Sequence, residues 1–299
     1  SDPLSLSLDL LRRLPPSNIS ANLDRLVSLC PQLADDLYSS VDQPLRVRVD
    51  RSAAGKGREY LACDYNRDGD SWRSPWSNEY DPPLSDGTRP SRELRELEVA
   101  MGGAMDVYRQ LYYDTGLASV YLWDLDDGAF AGVVLFKKAL EAGSEGASGS
   151  ATPAMGTQGS WDSLHVFETT PDRSNRTASY KLTSTVMLTL AKRNKAAMPE
   201  GSSDAPLQQQ FELAGSLTRQ AESDAPIQPP SASAPSRYSL SHIANLGRLI
   251  EDVESKMRNQ IVDVYFGKTK DVLGMLRSKE SLEVQRREQQ LRDEMRGMW

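Results

Sequence analysis

Two cysteines and two histidines are all that 299 residues provide. Cys30 and Cys63 have no metal-ligand spacing and form no disulfide framework, which points to a reducing compartment. His165 falls in a strand-like run and His242 near a helix start. Neither has a cysteine or acid at catalytic or metal spacing, so both are read as packing or capping residues. No enzyme signature, cofactor or metal site follows. Basic residues are also scarce: 35 Lys and Arg against 42 Asp and Glu leave a net charge of -7. That balance argues against nucleic-acid binding. No apolar run approaches the roughly 20 residues needed to span a bilayer. The first residues, SDPLSLSLDLLRRL, have neither a basic start nor a small-residue cleavage site, so no signal peptide is expected. The sequence therefore predicts a cytoplasmic, soluble protein that is not transmembrane.

What is present falls into blocks. Residues 1–43 predict a stalk of three short amphipathic helices, with Leu4, Leu8 and Leu11 on one face and Ser17 capping a second helix after Pro15-Pro16. Residues 44–90 predict a small β-rich globule, opening with the alternating PLRVRVD. Residues 91–114 predict a connecting helix capped by Ser91, with a stripe of Leu94, Leu97, Met101, Met105, Tyr108 and Leu111. Gly102 and Gly103 weaken it. Five alternating runs over 115–220 predict an antiparallel meander, with a hairpin at Asp126-Asp127-Gly128. Gly-, Ser-, Ala- and Pro-rich insertions near 141–158 and 196–207, and a linker over 221–240, cannot build a core and predict disorder. Residues 241–276 predict one long helix covering a sheet face. Residues 277–299 hold 6 Lys or Arg and 5 Asp or Glu around a thin apolar stripe. Val284, Leu291, Met295 and Met298 line that stripe, which suits either a helix-in-groove contact with a partner or a solvated tail.

Two motifs fail on inspection. Asp64-Tyr-Asn66-Arg-Asp68-Gly69-Asp70 begins like a calcium loop, but Pro75 stands where the twelfth-position carboxylate is required. A tight turn built on Asx side chains is the better reading. Gly267-Lys268-Thr269 ends like a phosphate loop, but Val262 stands at the first glycine and the stretch lies within a helix.

Several longer segments resemble the beta subunit of F-actin capping protein: SSVDQPL (39–45), CDYNRDGDSWRSPWSNEYDPP (63–83), SVYLWDLDDGAFAGVVLFKK (119–138), WDSLHVFE (161–168), YKLTSTVML (180–188), GSLTRQ (215–220), HIANLGRLIEDVESKMR (242–258) and VYFGKTKDVL (264–273). The resemblance runs from the first helix to about Arg277, interrupted only by the three simple insertions. It implies an α+β fold with an N-terminal helical stalk, a small β-rich globule and a five-stranded antiparallel sheet covered by a long helix. A C-terminal amphipathic tentacle helix follows. It also implies a pseudo-twofold heterodimer with the alpha subunit. The implied activity is Ca2+-independent binding to filament barbed ends, blocking actin subunit addition and loss. The alternative is a structural subunit ending an actin-like filament in a dynactin-type motor-adaptor complex. Leu276, Leu282, Val284, Leu291, Met295, Met298 and Trp299 would contact actin, and Arg258, Lys268, Lys270 and Arg277 would form a basic surface. Further partners implied are CARMIL-type capping-protein-interacting motifs, myotrophin-like inhibitors and polyphosphoinositides. The implied location is the actin cytoskeleton, in cortical patches.

Overall fold

The structure, a computed structural model, describes residues 2–14, 18–140, 157–193, 210–228 and 238–261. The chain divides into two compact units, Ser1–Val253 and Glu254–Trp299. Three helices open the first unit: α1 (Pro3–Arg13), α2 (Ile19–Leu29) and α3 (Ala34–Ser40). Asp2 caps α1, its carboxylate accepting from the Ser5 amide. The N-cap position of α2 is Asn18, one residue later than the expected Ser17. One leucine from each helix, Leu11, Leu23 and Leu37, closes a small apolar core.

A hairpin of β1 (Arg46–Val49) and β2 (Glu59–Ala62) follows. Next come three short strands in one sheet: β3 (Arg67–Asp68), β4 (Ser71–Arg73) and β5 (Tyr80–Asp81). Asp50 ties these pieces together, accepting hydrogen bonds from the Ser52 amide and from the hydroxyls of Ser74 and Ser77. Burial pushes its carboxyl up, but those donors outweigh it and hold it at about 2. The Asp64–Asp70 stretch is a single 3-10 turn (Asp64–Asn66), then β3, then a turn at Gly69-Asp70. Asn66 receives the Cys63 amide and donates to the Arg73 carbonyl, Asp68 receives the Thr88 amide, and Arg67 lies between Asp64 and Asp70.

Helix α4 (Arg92–Tyr112) begins at Ser91, whose hydroxyl accepts from the Leu94 amide while donating to Asp124. Its inner face is Leu94, Leu97, Met101 and Met105. Leu111 does not continue that face: it points about 120° away from Met105 at 100° per residue and is 73% exposed.

The main sheet is the expected antiparallel meander: β6 (Leu117–Asp124), β7 (Phe130–Leu140), β8 (Thr157–Pro171), β9 (Thr177–Arg193) and β10 (Gln210–Pro226), in that spatial order. Asp127 and Gly128, both at positive φ, close the β6–β7 turn. Two expectations are corrected here. Thr157 and Gln158 pair within β8 instead of belonging to an insertion. Residues 221–226 are strand, not linker. AESDAP is poor in apolar side chains, but its backbone is held by the ladder to β9, where Glu222 lies opposite Lys181.

Register assigns the faces. Tyr121, Val133, Val166 and Thr183 form one row, and Leu122, Gly132, Phe167 and Leu182 the next, on the opposite face. The second face is covered by helices. Tyr108 of α4 packs tilted on Phe136 at 5.1 Å, and His242 of α5 (Ser241–Ile261) packs edge-on against Phe130 at 5.2 Å. The sheet is covered on its first face as well: Tyr121, Val133, Leu135 and Met187 pack with Leu45, Tyr60 and Leu61. Helix α5 is described to Ile261, and its expected continuation to 276 lies outside the described residues. Both histidines are packing residues: His165 bonds Ser184 at 2.8 Å, and His242 bonds the Tyr180 hydroxyl at 2.8 Å.

Candidate functional site

An antiparallel sheet has two edges, and here they differ. The outer edge of β6 is capped at Leu122. Glu98 of α4 accepts the Leu122 amide at 2.6 Å, and Arg73 of β4 donates to the Leu122 carbonyl at 3.3 Å. Arg73 and Glu98 are 4% and 2% exposed and bond each other twice. Arg95 adds a third contact to Glu98, and Asn78 accepts from Arg73 at 2.7 Å. An ion pair thus stands in for a neighbouring strand at Leu122.

The outer edge of β10 is open. All 17 residues pair with β9 on one side, and no strand lies on the other among the described residues. From Ala214 to Pro226 its side chains are half-buried or exposed. A long unpaired edge is a template for another strand. The N-terminal helices are also thinly covered: Leu6, Leu10 and Leu29 are 57%, 46% and 77% exposed.

A groove of about 990 Å3 runs between α3, the globule and the first sheet face. Leu164, Val166 and Met187 form its floor. Four carboxylates line it (Asp24, Asp35, Asp42 and Asp64) against two guanidiniums, Arg46 and Arg67. Its chemistry suits an extended, cationic segment. The Cys63 thiol beside it is inert, burial pushing it up to about 12.

Of the residues expected to bind actin or form the basic surface, the structure places one. Arg258 lies on α5, its guanidinium 3.2 Å from Glu254 one turn earlier. Lys268, Lys270, Leu276, Arg277, Leu282, Val284, Leu291, Met295, Met298 and Trp299 lie outside the described residues. Which sheet edge is covered and which is open, and the groove, escaped the sequence reading. Edge status depends on which strands pair, and Arg73 and Glu98 are 25 residues apart with nothing local to link them. Among the described residues no group of His, Cys, Asp or Glu could hold a metal ion, and no helix is long and apolar enough to cross a membrane.

Comparison with known proteins decides the family. The family model described as F-actin capping protein, beta subunit, matches residues 4–273. The chain belongs to this family. F-actin-capping protein subunit beta of Aspergillus fumigatus is 52% identical over 91% of this chain and 73% of its own length. That of Aspergillus oryzae is 50% identical over 97% of this chain and 95% of its own. A solved homodimeric actin capping protein alpha subunit from Plasmodium berghei aligns at 11% identity and a TM-score of 0.48, covering 93% of this chain and 96% of that one. The match to the beta-subunit family takes in the helices, the globule and the sheet, and it ends before the last 26 residues.

Proposed function

We propose that the chain is the beta subunit of a heterodimeric F-actin capping protein, binding filament barbed ends and blocking subunit addition and loss without calcium. Membership of the beta-subunit family carries this reading. The names of its relatives favour the free capping subunit over a motor-adaptor role. No chemistry is catalysed; the action is steric.

The open β10 edge, at the opposite end of the sheet from a β6 edge capped at Leu122, supports one partner, an alpha subunit that continues the sheet beyond β10. The exposed leucines of α1 and α2 offer it a second contact. The C-terminal tentacle would lay Leu276, Val284, Leu291, Met295 and Met298, with Leu282 and Trp299, into an apolar groove on a terminal actin. Arg258, Lys268, Lys270 and Arg277 would supply an electrostatic contact that acidic lipids such as polyphosphoinositides, and myotrophin-like inhibitors, compete for. Two linked weak contacts, one from each subunit, give tight capping through effective concentration. We assign the acidic groove to regulators bearing CARMIL-type capping-protein-interacting motifs, and the location to the actin cytoskeleton, including cortical patches.

Seeded pyrene-actin elongation with the co-expressed alpha subunit tests the reading. Barbed-end growth should stop at protein concentrations far below that of actin. Growth unchanged by excess heterodimer would overturn it.

A further inference from the structure

Helix α4 carries a second apolar face. While Met101 and Met105 go into the core, Val99, Val107 and Leu111 are 57%, 56% and 73% exposed. At 100° per residue, Val99, Gly103 and Val107 fall within about 80° of one another, on the side opposite Met101 and Met105. Gly102 and Gly103 fall in the middle of the helix there. A methyl group on either would meet nothing within 4 Å. Each glycine weakens the helix relative to alanine, and no neighbour among the described residues requires the missing side chain. What the glycines permit is close approach of a second helix from outside.

The order of residues along this face is palindromic. Arg92, Glu96, Val99, Gly103, Val107, Gln110 and Asp114 follow one another at intervals of 4, 3, 4, 4, 3 and 4, centred on Gly103. Opposite charges stand at the two ends, polar residues come next inward, and valines flank the glycine. Steps of three and four, with two fours meeting at Gly103, keep these residues on one helix face, as a helix–helix seam requires. Laid antiparallel on its own copy about a twofold axis at Gly103, the seam sets Val99 against Val107 of the second copy and Glu96 against Gln110. It also brings Arg92 towards Asp114, which is exposed just past the end of α4. Among the described residues both terminal charges hold only long intrachain pairs, Arg92 with Glu96 at 3.7 Å and Asp114 with Lys138 at 4.0 Å. Such surface pairs exchange readily.

We propose that this face of α4 is a self-association surface, on which a second copy of the chain packs antiparallel across Gly103 in an isologous contact. The inference goes beyond capping and does not depend on it. A single helix–helix seam of about six turns falls short of the ~1,200 Å2 that stable interfaces bury. The association is therefore weak and belongs to high local concentration.

Sedimentation velocity on the chain co-purified with its alpha subunit, from about 1 to about 500 µM, reads the association directly. The sedimentation coefficient should rise with concentration. Val107→Asp should weaken the association at least about tenfold while leaving thermal melting unchanged, since the side chain is exposed. Gly103→Ala should raise the melting temperature yet weaken association. Under mild oxidation Gly103→Cys should cross-link two beta chains above the background from Cys30 and Cys63, whereas Arg92→Cys, far from the axis, should not. A concentration-independent sedimentation coefficient would overturn the proposal. So would an association indifferent to Val107→Asp, or cross-linking of Gly103→Cys to the alpha subunit instead of a second beta chain.

Discussion

Arg73 and Glu98 meet in a double hydrogen bond, Nη1 to Oε1 at 2.9 Å and Nη2 to Oε2 at 2.7 Å, and together they occupy the backbone of Leu122. Removing one partner leaves the other charge buried and opens the β6 edge. Glu98→Gln or Arg73→Leu should therefore cost about 3–5 kcal/mol, read as a lower urea midpoint of the heterodimer with an unchanged slope. A loss below about 1 kcal/mol would mean that water reaches the pair.

Acid should weaken the fold through His242. Burial beside Phe130 and Tyr180 pushes its imidazole down to about 4 from an ordinary 6.5. Below pH 6.5 the unfolded chain binds a proton that the folded chain does not. Stability from this group is thus complete above 6.5 and lost as pH falls through about 4, on the order of 3 kcal/mol in all. His242→Gln should flatten the slope in that window when unfolding is measured at pH 7, 5.5 and 4.5. Asp50 titrates lower, from 3.8 to about 2, so its loss begins only beneath that window.

Gly132 of β7 lies under two apolar side chains. An added methyl would strike Leu122 and come within 2.7 Å of Phe167 Cζ and 2.8 Å of the Tyr121 carbonyl oxygen. Gly132→Ala should cost about 1–3 kcal/mol by overpacking, visible in thermal melting. Gly102→Ala, with open space around it, should raise the melting temperature instead.

Deleting residues 278–299 should weaken capping in the elongation assay while leaving the alpha–beta complex intact on gel filtration. Unchanged capping would make the segment a solvated tail.

Amide hydrogen exchange offers an independent check of the partner edge. Outward-facing amides of β10, between residues 214 and 226, should slow on adding the alpha subunit. Those of β6 near Leu122 are already protected and should not change. Slowing at β6 with none at β10 would reverse the assignment of the edges.

The meander was legible because apolar and polar residues alternate along each strand and Asp126-Asp127-Gly128 marks a turn by chemistry alone. The run Tyr180, Leu182, Ser184, Val186 and Leu188 is indeed buried. Periodicity could not show that Thr185 and Met187, on the other face, are buried as well, because the cover there comes from Leu45, Tyr60 and Leu61 more than 100 residues earlier. It also placed Leu111 inward, since a leucine three residues after Tyr108 looks like one more step of the stripe. The end of β10 was hidden because backbone pairing, not side-chain burial, makes AESDAP a strand. The residues proposed to face actin rest on the spacing of the tail and on family resemblance. The groove and the sheet edges are collective properties of distant segments.

Asp162, fully buried, grips the Leu45 amide at 2.8 Å and Lys137 at 2.8 Å. Ser119 likewise receives the Leu61 amide, and the Tyr121 hydroxyl donates to the Leu61 carbonyl. These partners sit 117, 58 and 60 residues further along the chain. During synthesis the globule leaves the ribosome well before the strands that fasten it. Its hairpin must wait, Leu61 until β6 has been made and Leu45 until β8. The early part of this protein is thus the late part of its folding, and a nascent chain paused near residue 110 would be at its stickiest.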